Sequence, residues 1–411
     1  MLSLFCKNRN FRILLLFSTF TGIGGGMFGI FMMWAVHTLY RNPVYTGVAG
    51  FMFTAPMVAS FVVGPLVDRW RKVTVFRVTA LIKFFAVGSL LVSQLLGLPG
   101  VWLPFAVIFA HSAATLFFNP AYTAVYPLIV GDDDLVKANA LVNIVGIATG
   151  LLIGCALYFL MAHGAGFSVV YGMNTAILLI ALTFSIFLRA DEPKTKTDNS
   201  DLATYFSEMK DGITFVKKGV MLPFLITTIL MSFIGSAAYV NLPMFVEVHT
   251  NIATGYIILS ALALVGGLVG SFISRMVEPY FKLWKILVAF HIVAGIARIV
   301  FVYFMAQIFV AALGVFVLYA GITATIGIFT RAIVQKVPPK SFISRVDTNM
   351  ASIGAVAAAI GALAGGFLAT MLPSVDYVFV IQGGAYIVVG VLLCVSRHFR
   401  ELSKVSEIRK K

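Results

Sequence analysis

The sequence predicts an all-α integral membrane protein, twelve transmembrane helices in two pseudo-symmetric six-helix halves. Three observations carry that prediction. Of 411 residues, 60% are apolar and only 11% charged, under half the roughly 25% charged fraction of a soluble domain. The chain divides into twelve apolar runs, each long enough to cross a hydrocarbon core. Short glycine-containing segments recur about half a chain apart.

So few charges cannot coat a water-facing surface of this size. Soluble enzymes, nucleic-acid binders and disordered scaffolds are excluded on that ground. A mean hydropathy of +0.99 points the same way, as do 37 Phe, 36 Gly and 16 Met. Three cysteines, Cys6, Cys155 and Cys394, are odd in number and far apart. They give neither a disulfide framework nor a metal-ligand spacing.

The runs cover residues 11–36, 44–66, 73–96, 100–129, 138–162, 166–188, 220–246, 254–276, 284–304, 308–334, 343–372 and 375–396. The first is too long for a signal-peptide core, no cleavage site follows it, and it reads as a retained span. The net charge of +14 would suggest nucleic acid in a soluble chain, but its distribution decides otherwise. Of the 30 Lys and Arg, 27 fall at the termini or in even-numbered connections, and Arg41 alone falls in an odd one. Positive residues stay in the cytoplasm. Both termini are therefore expected there, in a multi-pass protein of a cell membrane, of bacterial inner-membrane or plasma-membrane type. The excess of basic residues is a topogenic signal, and no nucleic acid is expected to bind.

The expected organisation is a six-helix half over 1–189, a cytoplasmic linker over 190–219, a second half over 220–397 and a basic tail over 398–411. Within the linker, Leu202, Phe206, Met209, Ile213 and Val216 recur at helical spacing between charges. That pattern predicts an amphipathic helix, capped by Asp201, closed by Gly219 and lying at the inner membrane surface. Asp132, Asp133 and Asp134 precede the fifth run and are expected to cap it.

Gly64-Pro65-Leu66-Val67-Asp68-Arg69 follows the second run, and Gly270-Ser271-Phe272-Ile273-Ser274-Arg275 follows the eighth, 206 residues later. Gly146, Gly150 and Gly154 in the fifth run answer Gly354, Gly361 and Gly365 in the eleventh. Val130-Gly131 before the fifth run meets Val337-Pro338 before the eleventh, at an offset of 207. The nearly equal offsets predict two halves related by an axis along the membrane normal. The stretch from Gly64 through Asp68, Arg69, Arg71 and Lys72 also resembles the G-x-x-x-D-R-x-x-R/K loop of the major facilitator superfamily. The resemblance covers the whole chain and implies the major facilitator fold. Phe118-Asn119-Pro120-Ala121, and Lys336-Val337-Pro338 leading into Arg345, look like the drug-efflux and macrolide-exporter branch.

In physical terms, Gly64 allows a close helix approach at a tight turn, and Asp68 is a carboxylate among bases that can cap a helix N-terminus. The resemblance implies that this partner is the start of the eleventh span and that Gly64, Asp68, Arg69, Arg71 and Lys72 form a conformational latch.

No nucleotide-binding loop is present; Gly22-x-Gly24-Gly25-Gly26 lies inside an apolar run, where it permits close helix contact or bending. A secondary transporter then needs an ion gradient, and protons are the expected coupling ion. No Asp or Glu lies deep in any span. Glu247 is the first candidate for proton coupling, with Asp347 and His111 beside it. Lys83 and Arg298 stand deep in the third and ninth runs, and are expected to snorkel or to bond polar groups on adjacent helices.

The resemblance places spans one, four, seven and ten around a substrate cavity. They carry Phe28, Met32, Phe118, Asn119 and Tyr122 in the first half, and Phe233, Tyr239, Asn241, Tyr319 and Thr323 in the second. Such walls suit bulky amphipathic ligands. The expected protein is a secondary active transporter that exports hydrophobic or amphipathic compounds in exchange for protons by alternating access. It acts as a monomer in the bilayer, without cofactor or metal and without enzymatic activity. An uptake symporter for a small nutrient, or a lipid or lysolipid transporter of the same fold, is the alternative.

Overall fold

In this computed structural model the described residues are 5, 8–98, 100–131, 134–190, 210–217, 219–250, 253–339, 342–400 and 402; of Pro65, Asp68, Val136, Ala253, Ser344 and His398 only the backbone is described. Twelve helices are long and apolar enough to cross a membrane. Spans one to six are Arg9–Tyr40, Pro43–Gly64, Lys72–Leu95, Leu103–Val130, Lys137–Ala162 and Phe167–Phe187. Spans seven to twelve are Met221–Val240, Thr254–Val277, Leu283–Gln307, Phe309–Lys336, Arg345–Met371 and Asp376–Val395.

Local chemistry sets the ends. Asn8 opens span one: its Oδ1 accepts the Phe11 N–H at 2.9 Å, while its Nδ2 donates to the Ile129 carbonyl of span four at 2.8 Å. Arg41 ends the span in a left-handed conformation (φ 50°), its N–H returning to the His37 carbonyl. Arg77 of span three donates to the carbonyls of Ser185 and Ile186 at 3.3 and 3.2 Å. A cation thus satisfies orphan carbonyls in the last turn of span six.

Two of the predicted runs are broken helices. Span two is α-helical over Pro43–Thr54, tightens to a 3₁₀ turn over Ala55–Ala59 and resumes as α-helix over Ser60–Arg69. Pro56 sits in the 3₁₀ turn, where its missing N–H removes an α-helical bond. The run predicted over 220–246 is span seven, an interruption at Asn241, and a separate helix Leu242–Thr250 opened by Pro243.

The chain forms two compact units. One holds Met1–Arg41 with Met52–Asn199; the other holds Asn42–Phe51 with Ser200–Lys411. In the first, span one packs on spans five and six, span two on span four, and span three on spans four and six. In the second, span seven packs on eleven and twelve, span eight on ten, and span nine on ten and twelve. Each pairing recurs six spans later, so the repeat read from short motifs is a repeat of helix packing. The second unit also takes in the segment before Pro56. There a Cβ at Gly47 would meet the Ala362 carbonyl at 2.9 Å and Gly366 Cα at 3.0 Å.

The two motif copies differ in packing. Among the described residues no heavy atom lies within 4 Å of where a Gly64 Cβ would stand, and Gly64 sits inside a helix that ends at Arg69. The close approach expected there is absent. It occurs instead at Gly270, whose Cβ would overlap the Gly321 carbonyl of span ten. Asp134 likewise makes no side-chain cap; it pairs with Lys137 Nζ at 2.8 Å, and Asp132 and Asp133 lie outside the described residues.

Of the predicted amphipathic helix, Asp201, Leu202, Phe206 and Met209 lie outside the described residues. Residues 210–216 are helical, and Gly219 adopts the left-handed conformation (φ 54°) expected of a helix-closing glycine. Val216 is fully buried, and Phe215 meets Phe342 at 5.6 Å between ring centroids. This last turn packs on the start of the eleventh helix.

Candidate functional site

Within the first unit, Phe17, Phe76 and Phe118 form a ring cluster, with centroids 5.3, 5.7 and 5.5 Å apart. Tyr122 stacks on Phe118 at 5.8 Å. Phe28 and Met32 are buried. Phe28 stacks on His111, centroids 4.2 Å apart, and meets Phe53 edge-on. Asn119 is exposed, and its carbonyl, one residue before Pro120, accepts from Thr123 Oγ1 at 3.1 Å. Ser112 donates a short hydrogen bond to the Phe53 carbonyl, two residues before the 3₁₀ turn that breaks span two.

Lys83 does not snorkel: it is 3% exposed, and its Nζ lies 5.4 Å from the Phe118 ring centroid. His111 is 5% exposed, and its Nε2 has no partner among the described residues.

In the second unit Arg298 is 4% exposed and bonds across helices, as the sequence suggested. Its Nε donates to Gln382 Oε1 at 2.7 Å. Its guanidinium carbon lies 4.7, 4.7 and 5.2 Å from the ring centroids of Tyr319, Phe379 and Phe301. Tyr319 is therefore engaged in this box. Tyr239 is 48% exposed and shares a hydrogen bond with Tyr256. Phe233 and Thr323 are half-buried. Asn241 is fully buried, and its Nδ2 donates to the carbonyls of Ala237 and Gly365, both at 2.8 Å. It fastens the end of span seven to span eleven.

Glu247 is half-buried on the helix Leu242–Thr250, Asp347 is exposed near the start of span eleven, and His111 stands in the other unit. In the latch, Arg69 and Arg71 are exposed, Lys72 is half-buried, and the Asp68 side chain lies outside the described residues. Sequence reasoning missed the pair between His249 Nε2 and Asp376 Oδ1, 2.8 Å apart, which ties the helix after span seven to the start of span twelve. The signal was available: His249 and Asp376 flank short connections next to apolar runs. Among the described residues no group of His, Cys, Asp and Glu is placed to hold a metal.

A groove of about 610 Å³ opens between spans three and four. Trp70, Thr74, Val78, Phe109, Ala113 and Phe117 line it, and none of the predicted cavity residues does.

Two uncharacterised transporters of Bacillus subtilis (strain 168) are similar in sequence. YkuC is 25% identical over 303 residues, 67% of either chain. YjbB is 28% identical over 190 residues, 44% of either chain. Among solved structures, a mutant of the nucleoside transporter NupG superposes with a TM-score of 0.79 at 15% identity, over 94% of this chain and 99% of that one. A D-xylose-proton symporter superposes with a TM-score of 0.68 at 13% identity, over 93% and 96%. At such identities the likeness is one of fold. The description of the Major Facilitator Superfamily matches residues 14–346. With a repeated six-span packing and that match, the chain belongs to the major facilitator superfamily of membrane transporters.

Proposed function

We propose that the protein is a proton-coupled exporter of hydrophobic or amphipathic compounds, of the multidrug or macrolide type, working as a monomer with both termini in the cytoplasm. The observation that supports this reading is the character of spans one, four, seven and ten. They carry Phe28, Met32, Phe118, Tyr122, Phe233, Tyr239 and Tyr319, and no Asp or Glu. Aromatic and thioether surfaces bind by area and tolerate many shapes. Glu247 supplies the proton-linked charge, with His111 and Asp347 in supporting roles. Inside-out membrane vesicles are expected to accumulate an amphipathic dye when acidified inside, and to lose it on adding an uncoupler. In a Glu247→Gln protein the accumulation ratio should fall toward one while downhill dye movement persists. Accumulation that ignores the uncoupler, or that survives Glu247→Gln, sinks proton coupling through this residue. Uptake in right-side-out cells instead of efflux would favour the symporter reading.

Asp68 acts as a conformational latch with Gly64, Arg69, Arg71 and Lys72. Its position supports this: it stands in the last turn of its own helix, where an acid faces the negative end of the macrodipole and costs about 0.3–1 kcal/mol. Asp68→Asn should then insert at wild-type levels yet transport about tenfold more slowly, a barrier change of about 1.4 kcal/mol. Equal dye efflux per inserted molecule would remove the latch.

A further inference from the structure

We propose that the centre of the first unit holds an anion-binding site, built by Lys83, Thr21, His111 and Asn174 around the glycine-rich turn of span one and suited to a carboxylate or a halide. Adjacent spans alternate in direction, so span three runs parallel to span one and span four antiparallel. The rings of Phe17, Phe76 and Phe118 meet and fix the register. Gly24 and Lys83 lie seven residues beyond Phe17 and Phe76, and His111 lies seven before Phe118. These three therefore share one level, about 10.5 Å along the bundle from the ring cluster. Lys83 reaches back from that level until its Nζ is 5.4 Å from the Phe118 centroid. Its ammonium thus reaches from that level toward the ring cluster.

The glycines allow neighbouring side chains to approach span one closely. A Cβ at Gly24 would overlap Leu178 and stand 3.4 Å from Asn174 Oδ1 of span six; one at Gly25 would stand 3.7 Å from His111 Cε1. Span one therefore brings Asn174 and His111 to one face of its helix, with Thr21 one turn away. Phe28 stacks on His111, and the Lys83 ammonium lies near the Phe118 ring.

All four polar residues are more than nine-tenths buried: Thr21 at 6%, Lys83 at 3%, His111 at 5% and Asn174 at 2% exposure. Thr21 Oγ1, His111 Nε2 and Asn174 Oδ1 have no hydrogen-bond partner among the described residues. No Asp or Glu occurs inside any span of this half, so no carboxylate of these helices neutralises the ammonium. A buried cation and three unpartnered buried polar atoms in one apolar bundle are each costly alone. One anion answers them together: it accepts from the Lys83 ammonium, the Thr21 hydroxyl and a His111 N–H, and a rotation of the Asn174 amide turns its Nδ2 toward it. The rings of Phe28 and Phe118 beside His111 and Lys83 suit an anionic group borne on an apolar or aromatic body.

The inference is independent of transport direction and of Glu247, because it is tested by binding. Purified protein in nanodiscs of uncharged lipid would be titrated with sodium benzoate, benzamide and sodium chloride, read by calorimetry and by thermal unfolding. Saturable binding of benzoate but not benzamide assigns the site to an organic carboxylate; saturable binding of chloride alone assigns it to an inorganic ion. In either case Lys83→Met should weaken binding at least tenfold. Thr21→Val, which keeps shape and loses the hydroxyl, should weaken it about threefold and serves if Lys83→Met does not fold. Benzamide binding as well as benzoate, no saturable binding of either anion to folded protein, or affinities unchanged in both variants would overturn the proposal.

Discussion

Gly361→Leu is expected to leave no folded protein to purify. Spans seven and eleven touch backbone to backbone: a Cβ at Gly361 would overlap the Phe233 carbonyl, and one at Gly365 would stand 2.5 Å from Ala237 Cα. Neither obstacle is a side chain that can change rotamer, so relief requires the helices to separate. That separation would also break the Asn241 bond to the Gly365 carbonyl, leaving one N–H of a buried amide unpaired at a cost of about 1–3 kcal/mol while its bond to the Ala237 carbonyl persists. Small residues at this spacing are how helices in lipid gain contact when no hydrophobic force distinguishes neighbour from solvent. The summed loss exceeds about 4–5 kcal/mol, the range reserved for disrupted cores and comparable to a whole protein's stability. Gly354 is the internal control. Its Cβ would stand 3.3 Å from Ser232 Oγ, a side-chain atom that can turn away. Gly354→Ala should therefore remain within about 0.5 kcal/mol of wild type. Size-exclusion profiles and thermal melts in detergent read both outcomes. A monodisperse Gly361→Leu protein with a wild-type melt would show that the two helices do not approach as described.

The fold was legible because the bilayer writes it in two coarse signals, apolar length and basic asymmetry, and each needs only local sequence. The repeat was legible for a subtler reason. Small residues recur at similar offsets in spans five and eleven, although the close backbone contact is seen at Gly361 and Gly365, and no described atom lies within 4 Å of a Cβ at Gly146. The same logic misled at Gly64, where sequence identity to a packed counterpart did not bring packing: the partner carbonyl of Gly321 that crowds Gly270 has no described equivalent near Gly64. The membership of Asn42–Phe51 in the second unit was invisible: Pro56 marks a break in the run, but nothing in the sequence says that the parts on either side belong to different units. The polar groups were half legible. Charged Lys83 and Arg298 stood out among apolar neighbours, but Thr21, Asn174 and Gln382 are unremarkable residues in a helix until their neighbours are known. Glu247, the carboxylate that the sequence put first, and His249 share one short helix. The hydrogen bond shown there is made by His249 with Asp376, a partner more than a hundred residues away.

Arg298 offers the sharpest test of how a lone cation is kept inside the second unit. Its Nε donates to Gln382 Oε1, its Nη1 has no partner among the described residues, and three rings cover the guanidinium. A desolvated cation–π contact is worth up to about 2 kcal/mol, which makes the rings the main holder of the charge and Gln382 its one directional anchor. Removing the anchor alone should be the worst change. Gln382→Leu leaves a buried guanidinium without that bond and should cost about 3 kcal/mol, near the upper end for a lost bond to a charged group. Arg298→Met fits an apolar chain among Phe301, Tyr319 and Phe379 but orphans the Gln382 carbonyl, at about 1–3 kcal/mol. Arg298→Lys should not rescue, because an ammonium has no planar face to lie against the rings while also reaching Gln382. The double variant Arg298→Met with Gln382→Leu removes both the charge and its anchor. Replacing a buried polar set by apolar groups of similar volume is often neutral, so this protein should return to within about 1 kcal/mol of wild type. The two single losses then fail to add by more than about 1 kcal/mol, the signature of direct coupling. Unfolding of the four proteins in one detergent measures it. Additive losses would mean that Arg298 and Gln382 act independently, and that the aromatic box holds the cation without its anchor.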